Sequence, residues 1–196
     1  MFLLGLTGSI GMGKSTTAQL FVEEGCALWD ADQAVHRLYG EGGAAVPVFQ
    51  ESFPATVLDG IVSRPALKEM IADDPSILAQ IEKIVHPLVA EDRRAFLART
   101  EADIVVLDIP LLFETGGDAR VDAVVCVYID PEAQQKRVMA RGTMTQEQFE
   151  AINHKQMPTA EKRRRSQYHV KTDTLAHARA QVQAIVKDIR EVRQNA

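Results

Sequence analysis

Three observations predict an α/β fold, a parallel sheet flanked by helices, for this chain of 196 residues. Wholly apolar runs recur along the sequence without polar alternation, as strands covered on both faces require. Segments with helical spacing separate these runs, as the crossovers of a parallel sheet require. The first run passes through a glycine-rich stretch directly into a helix.

Taken in order, Phe2-Leu3-Leu4-Gly5-Leu6 reads as a short buried strand, and Thr16 to Val22 continues as a helix. Gly25 to Trp29 is the second strand and ends at Asp30-Ala31-Asp32, with a helix from about Gln33 to Tyr39. Gly40-Glu41-Gly42-Gly43 interrupts that helix, and from there to about Gly60 no element is assigned. Pro65 to Thr100 is helical: Ile77, Leu78, Ile81, Ile84, Val85, Leu88 and Val89 recur at i, i+3, i+4 spacing, and Pro87 is expected to kink or break the run. Ile104 to Leu107 is a strand ending at Asp108, and Val121 to Ile129 is another. Asp130-Pro131 then reads as the N-cap and first position of a helix. Gln146 to Asn153 and Ala160 to Arg165 form two short helices, and Gln167 to Val170 a weaker final strand. The last helix carries an apolar stripe of Leu175, Ala178, Val182, Ile185, Val186, Ile189 and Val192, placed to pack on the sheet.

Length and composition suit one such domain with insertions. Hydrophobic content of 46% and charged content of 25% are ordinary globular values, and a net charge of −5 argues against a general nucleic-acid binder. No apolar run approaches the roughly 18 residues of a membrane span, and no signal peptide is visible. Cys26 and Cys126 each lie in apolar runs and read as small buried side chains. A cytoplasmic protein, free of membrane and nucleic acid and working as a monomer or weak homo-oligomer, is expected.

The stretch Gly8-Ser9-Ile10-Gly11-Met12-Gly13-Lys14-Ser15-Thr16 fits the phosphate-binding pattern G-x-x-x-x-G-K-[ST] at every fixed position. Gly8, Gly11 and Gly13 let backbone N–H groups curl around phosphate oxygens, with Met12 and Thr16 completing the lining. The helix that follows points its positive dipole end at the anion. Lys14 reaches the β- and γ-phosphates of a nucleoside triphosphate, and the Ser15 hydroxyl holds Mg²⁺. The fold class is therefore a P-loop NTPase-type sheet, with ATP and Mg²⁺ as the implied cofactors.

Ligands of such sheets bind beyond the carboxyl ends of the strands, which selects Asp30, Asp32, Asp108 and Asp130. Two residues apart on an extended segment, Asp30 and Asp32 would turn both carboxylates into one pocket. Asp32 caps a helix or accepts the proton of an acceptor hydroxyl; beside a phosphate loop the second reading is favoured. Val105-Val106-Leu107-Asp108 has the shape of a Walker B strand, whose terminal Asp contacts Mg²⁺ directly or through water. The following Ile109 to Glu114 is unusually apolar for a rim loop; it packs internally or offers a substrate an apolar wall. Arg137, Arg141 and Lys162 to Arg165 are locally basic. Arg164 and Arg165 read as a solvated face, whereas Arg141, next to the hinge-like Gly142, is placed to steady transferring charge. His86 caps a helix end or touches substrate.

With these residues assembled, the chain resembles the dephospho-coenzyme A kinase family over nearly its full length. The resemblance rests on Leu6 to Thr16, Asp30-Ala31-Asp32, Ile84-Val85-His86-Pro87-Leu88, Leu107 to Glu114, Gln156-Met157-Pro158 and Lys162-Arg163. It implies transfer of the ATP γ-phosphate to the ribose 3′-hydroxyl of dephospho-CoA, the last step of coenzyme A synthesis. By that analogy Asp32, Lys14 and Arg141 are catalytic, with Asp32 as proton acceptor. Arg64, His86, Leu112 and Phe113 lie on the acceptor side; Ser15 and Asp108 serve the metal. The implied organisation is one domain, with its core at about 1–40, 101–140 and 166–196, a helical substrate-binding region at about 41–100, and a small helical lid at about 141–165. Three positions depart from the family. Ser63 stands where an acid precedes Arg64, and His36-Arg37 where an arginine follows the second Asp by four residues. His169-Val170-Lys171-Thr172-Asp173 stands where Val-Ile-Asp-Asn-Gly is usual, so no adenine contact is assigned there.

Two rivals are weighed. A kinase resembling shikimate kinase shares the D-x-D, but Gly42-Gly43 is a pair where such kinases carry a glycine triplet. A GTP-binding switch is faintly echoed by Val170-Lys171-Thr172-Asp173, whose first position is wrong for guanine recognition.

Overall fold

In the computed structural model, which describes residues 1–194, a five-stranded sheet runs in the order β2-β5-β1-β6-β7. Its strands are β1 (Phe2–Thr7), β2 (Ala27–Asp30), β5 (Ile104–Asp108), β6 (Ala123–Tyr128) and β7 (Tyr168–Lys171). β1 lies parallel between β5 and β6, with Leu4 opposite Val106 on one side and Ala123 on the other, and β6 pairs in parallel with β7. The helices are α1 (Lys14–Glu23), α2 (Ala31–Tyr39), α3 (Ala45–Ser52), α4 (Arg64–Asp73), α5 (Ile77–Arg99), α6 (Pro131–Ala140), α7 (Gln146–Lys155), α8 (Thr159–Arg165) and α9 (Leu175–Gln194). The chain divides into two compact units, Asp30–Thr100 and the remainder.

In the sheet unit, side chains alternate between the two faces of each strand. Leu4, Leu6, Val106, Val125 and Val127 meet Leu20 and Phe21 of α1 and Val182, Val186 and Ile189 of α9 on one face. On the other face Val124 packs with Leu112 and Phe113. That division explains the apolar stripe of the last helix, of which only the terminal Leu175 and Val192 stay exposed. Cys26 and Cys126 are buried free thiols, and burial pushes both up to about 11.

The Asp30–Thr100 unit has its own core of Leu38, Tyr39, Phe49, Val62, Leu67, Ile81 and Val85. Within the stretch to which the sequence assigned nothing, α3 is followed by a hairpin of β3 (Val57–Leu58) and β4 (Ile61–Val62). Asp59 and Gly60 turn it at φ of 50° and 76°, the left-handed pair that a two-residue hairpin loop demands. The expected interruption at Pro87 does not occur as a break: α5 runs on from Ile77 to Arg99. Pro87 and Lys83, whose carbonyl loses its intrahelical partner, are both exposed.

Candidate active site

The glycine-rich stretch joins β1 to α1 as its spacing required. Gly13 is the N-cap of α1 at φ 88°, no side chain caps the helix, and no acidic residue stands in its first turn. The first-turn amides and the positive end of the dipole are thus left to an anion. Gly8 is needed for closeness, because a Cβ there would come within 2.9 Å of the Val127 carbonyl oxygen. Ser15 and Thr16 are exposed on the first turn. The side chain of Met12 is buried in the core, and its sulfur accepts the Ile129 N–H at 3.2 Å. Its own N–H donates to the Ser9 carbonyl at 3.2 Å, so Met12 shapes the loop from below.

Lys14 donates to the Asp108 carboxylate at the carboxyl end of β5. Asp108 is 1% exposed, and a buried carboxylate is stable only with such partners. The strand-end aspartate and the glycine-loop lysine, 94 residues apart in the chain, are therefore joined, a pairing that the sequence reading did not anticipate. Asp130 takes the N-cap position of α6 without a side-chain cap bond and pairs instead with Lys171 at 3.1 Å.

Arg141 forms the C-cap of α6, and Gly142 follows at φ 63°. Arg141 lines a cavity of about 250 Å³ together with Gly11, Gly13, Thr16, Arg137 and Thr172. Arg137 and Thr172 were not selected from sequence. Thr172 is buried, donates its hydroxyl to the Met12 carbonyl at 2.7 Å, and accepts from Arg137 Nη1 at 3.0 Å. The sequence had marked residues 169–173 only as a departure from the family and Arg137 only as locally basic, and neither pointed to this junction.

Leu112 and Phe113 do not offer an apolar wall. Leu112 is wholly buried, filling the space left by Gly5, whose Cβ would come within 2.7 Å of Leu112 Cδ2. Phe113 is 5% exposed beneath the Arg165 guanidinium, which lies 4.5 Å from the ring centroid. Both stabilise the core, by about 1.5–3 kcal/mol each on transfer grounds. Arg165 is correspondingly more than a solvated residue: it also pairs with Asp118 at 2.8 Å, while Arg164 pairs along its own helix with Glu161.

The same loop anchors the end of the expected lid. Lys162, fully buried in α8, donates to the Pro110 carbonyl at 3.3 Å and to Glu114 Oε1 at 2.8 Å. Glu114 also accepts the Met157 N–H at 2.8 Å, and the Pro110 carbonyl accepts the Thr7 hydroxyl at 3.1 Å. Burial pushes the Glu114 carboxyl up, but the bonds from Lys162 and the Met157 amide outweigh it and hold it below the usual glutamate value. Toward the phosphate loop, Gln156 Oε1 accepts the Ile10 N–H at 3.3 Å and Thr159 meets Ser9 at 3.3 Å between hydroxyls. Residues 156–165 form a strap fixed at both ends.

In the Asp30–Thr100 unit the D-x-D reading needs correction. α2 begins at Ala31, so Asp30 is its N-cap, accepting the Gln33 N–H at 2.9 Å, and Asp32 stands exposed in the first helical turn. The two carboxylates do not share an extended segment. The cap belongs to Asp30, which leaves Asp32 without that structural task. Arg64 is the first residue of α4, exposed, with its guanidinium 6.0 Å from the Tyr39 ring centroid. Ser63 caps α4 by accepting the Ala66 N–H at 3.3 Å, a task an acid performs equally well, which accounts for that departure. His86 lies exposed in mid-helix and caps nothing. Arg37 is committed to Asp92 through two bonds of 2.6 and 3.3 Å, and His36 beside it is exposed.

Comparison with known proteins agrees with the motifs. A family model described as dephospho-CoA kinase matches residues 2–177. The chain is 67% identical over 189 residues to a protein of Ruegeria pomeroyi named dephospho-CoA kinase, covering 96% of each. A solved structure from Thermus thermophilus superposes with a TM-score of 0.84 at 32% identity, covering 95% of this chain and 97% of that one. The structure of a dephospho-CoA kinase from Campylobacter jejuni shares the fold, with a TM-score of 0.66 at 20% identity over 95% and 96% of the two chains. An open helix N-terminus behind a glycine loop, its lysine joined to a strand-end aspartate, and a family match spanning nine-tenths of the sequence lead to one conclusion: the chain belongs to the dephospho-CoA kinase family.

Proposed function

We propose that the chain transfers the γ-phosphoryl group of ATP to the ribose 3′-hydroxyl of dephospho-CoA, giving coenzyme A and ADP. ATP-dependent phosphorylation of dephospho-CoA in coenzyme A biosynthesis is the activity of its family. The observation that carries the site assignment is Lys14, at the uncapped start of α1, paired with Asp108.

Each residue is given a role by its chemistry. The first-turn amides of α1 and Lys14 hold the β- and γ-phosphates, and Arg141, with Arg137 beside it, meets charge that spreads onto the transferring group. Mg²⁺ binds through one or two protein oxygens plus phosphates rather than a protein cage, and Ser15 with Asp108 offers that donor set. Bound there, it would neutralise phosphate charge. Asp32, relieved of capping by Asp30, accepts or orients the acceptor hydroxyl proton. Arg64 and His86, both exposed, are assigned to the acceptor on the family resemblance. Because residues 156–165 are strapped down, lid motion falls to the preceding 141–155, hinged at Gly142.

Coupled ATP turnover with dephospho-CoA, shikimate, nucleoside monophosphates and no acceptor tests the reading. Turnover confined to dephospho-CoA, with a 3′-phosphorylated product, is expected. Turnover with shikimate alone, or GTP hydrolysis without acceptor, would overturn it.

A further inference from the structure

We infer that Thr172 is a positioning residue for the phosphate loop, its hydroxyl holding the Met12–Gly13 peptide so that the Gly13 N–H faces the nucleotide phosphates. The inference rests on the reading of Gly8 to Thr16 as the ATP-binding loop.

The peptide is planar and trans, so its carbonyl and its amide hydrogen point in opposite directions. The Met12 carbonyl oxygen accepts the Thr172 hydroxyl at 2.7 Å. Fixing that oxygen toward Thr172 fixes the Gly13 N–H in the opposite direction. Without such a hold, Gly13 is free to turn: it sits at φ 88°, and glycine crosses between positive and negative φ at little cost. Thr172 also fills the space beside it, since a Cβ on Gly13 would lie 3.3 Å from the Thr172 methyl carbon.

Thr172 is itself held from two other directions. Its N–H donates to the Tyr128 carbonyl at 3.0 Å, which ties it to the end of β6. Arg137 grips it twice, from Nη1 to the hydroxyl at 3.0 Å and from Nη2 to the carbonyl. The arginine supplies a charged donor to the hydroxyl, so the hydroxyl hydrogen goes to a carbonyl, and the Met12 oxygen at 2.7 Å is far better placed than that of Tyr128 at 3.5 Å. Being 7% exposed, Thr172 meets little water that could compete for either bond. The bonds run in one direction, from guanidinium to hydroxyl to loop carbonyl, and end at the glycine that caps α1.

Thr172→Val keeps the shape and removes the hydroxyl; Thr172→Ser keeps the hydroxyl. Steady-state kinetics with ATP and dephospho-CoA varied separately, and titration with a fluorescent ADP analogue, read the effect. Thr172→Val is expected to raise KM for ATP and weaken ADP binding by about tenfold, the worth of one hydrogen bond with a charged neighbour. KM for dephospho-CoA should stay within about twofold, and Thr172→Ser should restore ATP affinity to within about threefold of the parent. A purely structural role would lower the melting temperature and the active fraction without separating the two KM values. Unchanged ATP affinity in Thr172→Val, equal loss in Thr172→Ser, or parallel change in both KM values would overturn the inference. Should Thr172→Val fold poorly, Thr172→Ala in the ADP titration carries the same expectation and the same overturning result. Lys14→Ala run alongside separates the two levels: if it too leaves ATP affinity untouched, the phosphate-loop reading fails; if it alone weakens ATP, only the role of Thr172 does.

Discussion

The two units of the molecule hold their candidate site residues in opposite ways. In the sheet unit Lys14, Asp108, Arg137, Thr172 and Lys162 are tied to partners in buried or half-buried places. In the Asp30–Thr100 unit Asp32, Arg64 and His86 stand exposed on helices whose buried residues do the packing. Those paired groups are placed before any ligand arrives, and a group that costs energy to bury is also costly to misplace, whereas Ser15, Thr16 and Arg141 of the same unit stay exposed. In the Asp30–Thr100 unit these side chains cost little to leave in water; on the acceptor role proposed for them, their order is left for the substrate to complete. Substitutions should therefore lower stability and activity together in the sheet unit, and activity alone in the other.

Lys14→Ala should have the largest effect, a fall in kcat/KM of about 10³-fold, as for the loss of a charged donor to a transferring phosphoryl group. Single-turnover kinetics would check it; a loss under tenfold would detach Lys14 from the chemistry. Asp32→Asn should cut turnover by about 10²-fold while ADP binding holds. Its melting temperature should barely move, as for exposed surface changes within about 0.5 kcal/mol. A large thermal shift without loss of turnover would break the contrast between the units.

Glu114→Leu should instead act through the fold. It leaves the buried Lys162 ammonium without its carboxylate, costing about 3 kcal/mol, near the low end for buried pairs because Glu114 is partly exposed. A melting temperature lower by about 6–12 °C is expected by calorimetry. Adding Lys162→Met should recover most of that loss, since an apolar pair replaces a buried ionic one without an orphaned charge; no recovery would mean the pair is not what anchors the strap.

The smallest effect concerns pH. The folded carboxyl of Glu114 lies below its ordinary 4.5, so its share of the stability is present above that value and is lost as pH falls through the folded one. Asp103, held down chiefly by its bond from Arg190, adds in the same direction. Melting curves taken from neutral pH into the acid range should decline less steeply in Glu114→Leu than in the parent. Parallel curves would show that Glu114 takes no part in the acid response.

Much of this was legible along the chain because it depends on local chemistry. Uninterrupted apolar runs specify strands covered on both faces, and β1, β5 and β6 are such strands. The phosphate-loop pattern was readable from residue types, since a turn that wraps an anion dictates its glycines, its lysine and its hydroxyl within nine residues. The hairpin at Asp59-Gly60 was missed although its turn residues are diagnostic, because strands of two residues show no periodicity. The D-x-D was misread by two residues of boundary: the helix starts at Ala31 and not near Gln33, so Asp30 both ends β2 and caps α2, which changes where Asp32 points, and strand propensity alone does not place that boundary.

What the sequence by itself determined is the fold class, the nucleotide loop and, through its ordered motifs, the family. Each is written in residue types at short spacing, where backbone geometry leaves few choices. Only the tertiary structure decided which members of an apolar loop are core and which of six cations do more than face solvent. Leu112 is buried because Gly5 leaves room for it on a strand more than a hundred residues away. Lys162 and Thr172 matter because Glu114 and Met12 are folded against them. A polar side chain's role is set by the partner it meets when water is removed, and partners distant in sequence become neighbours only in the folded chain.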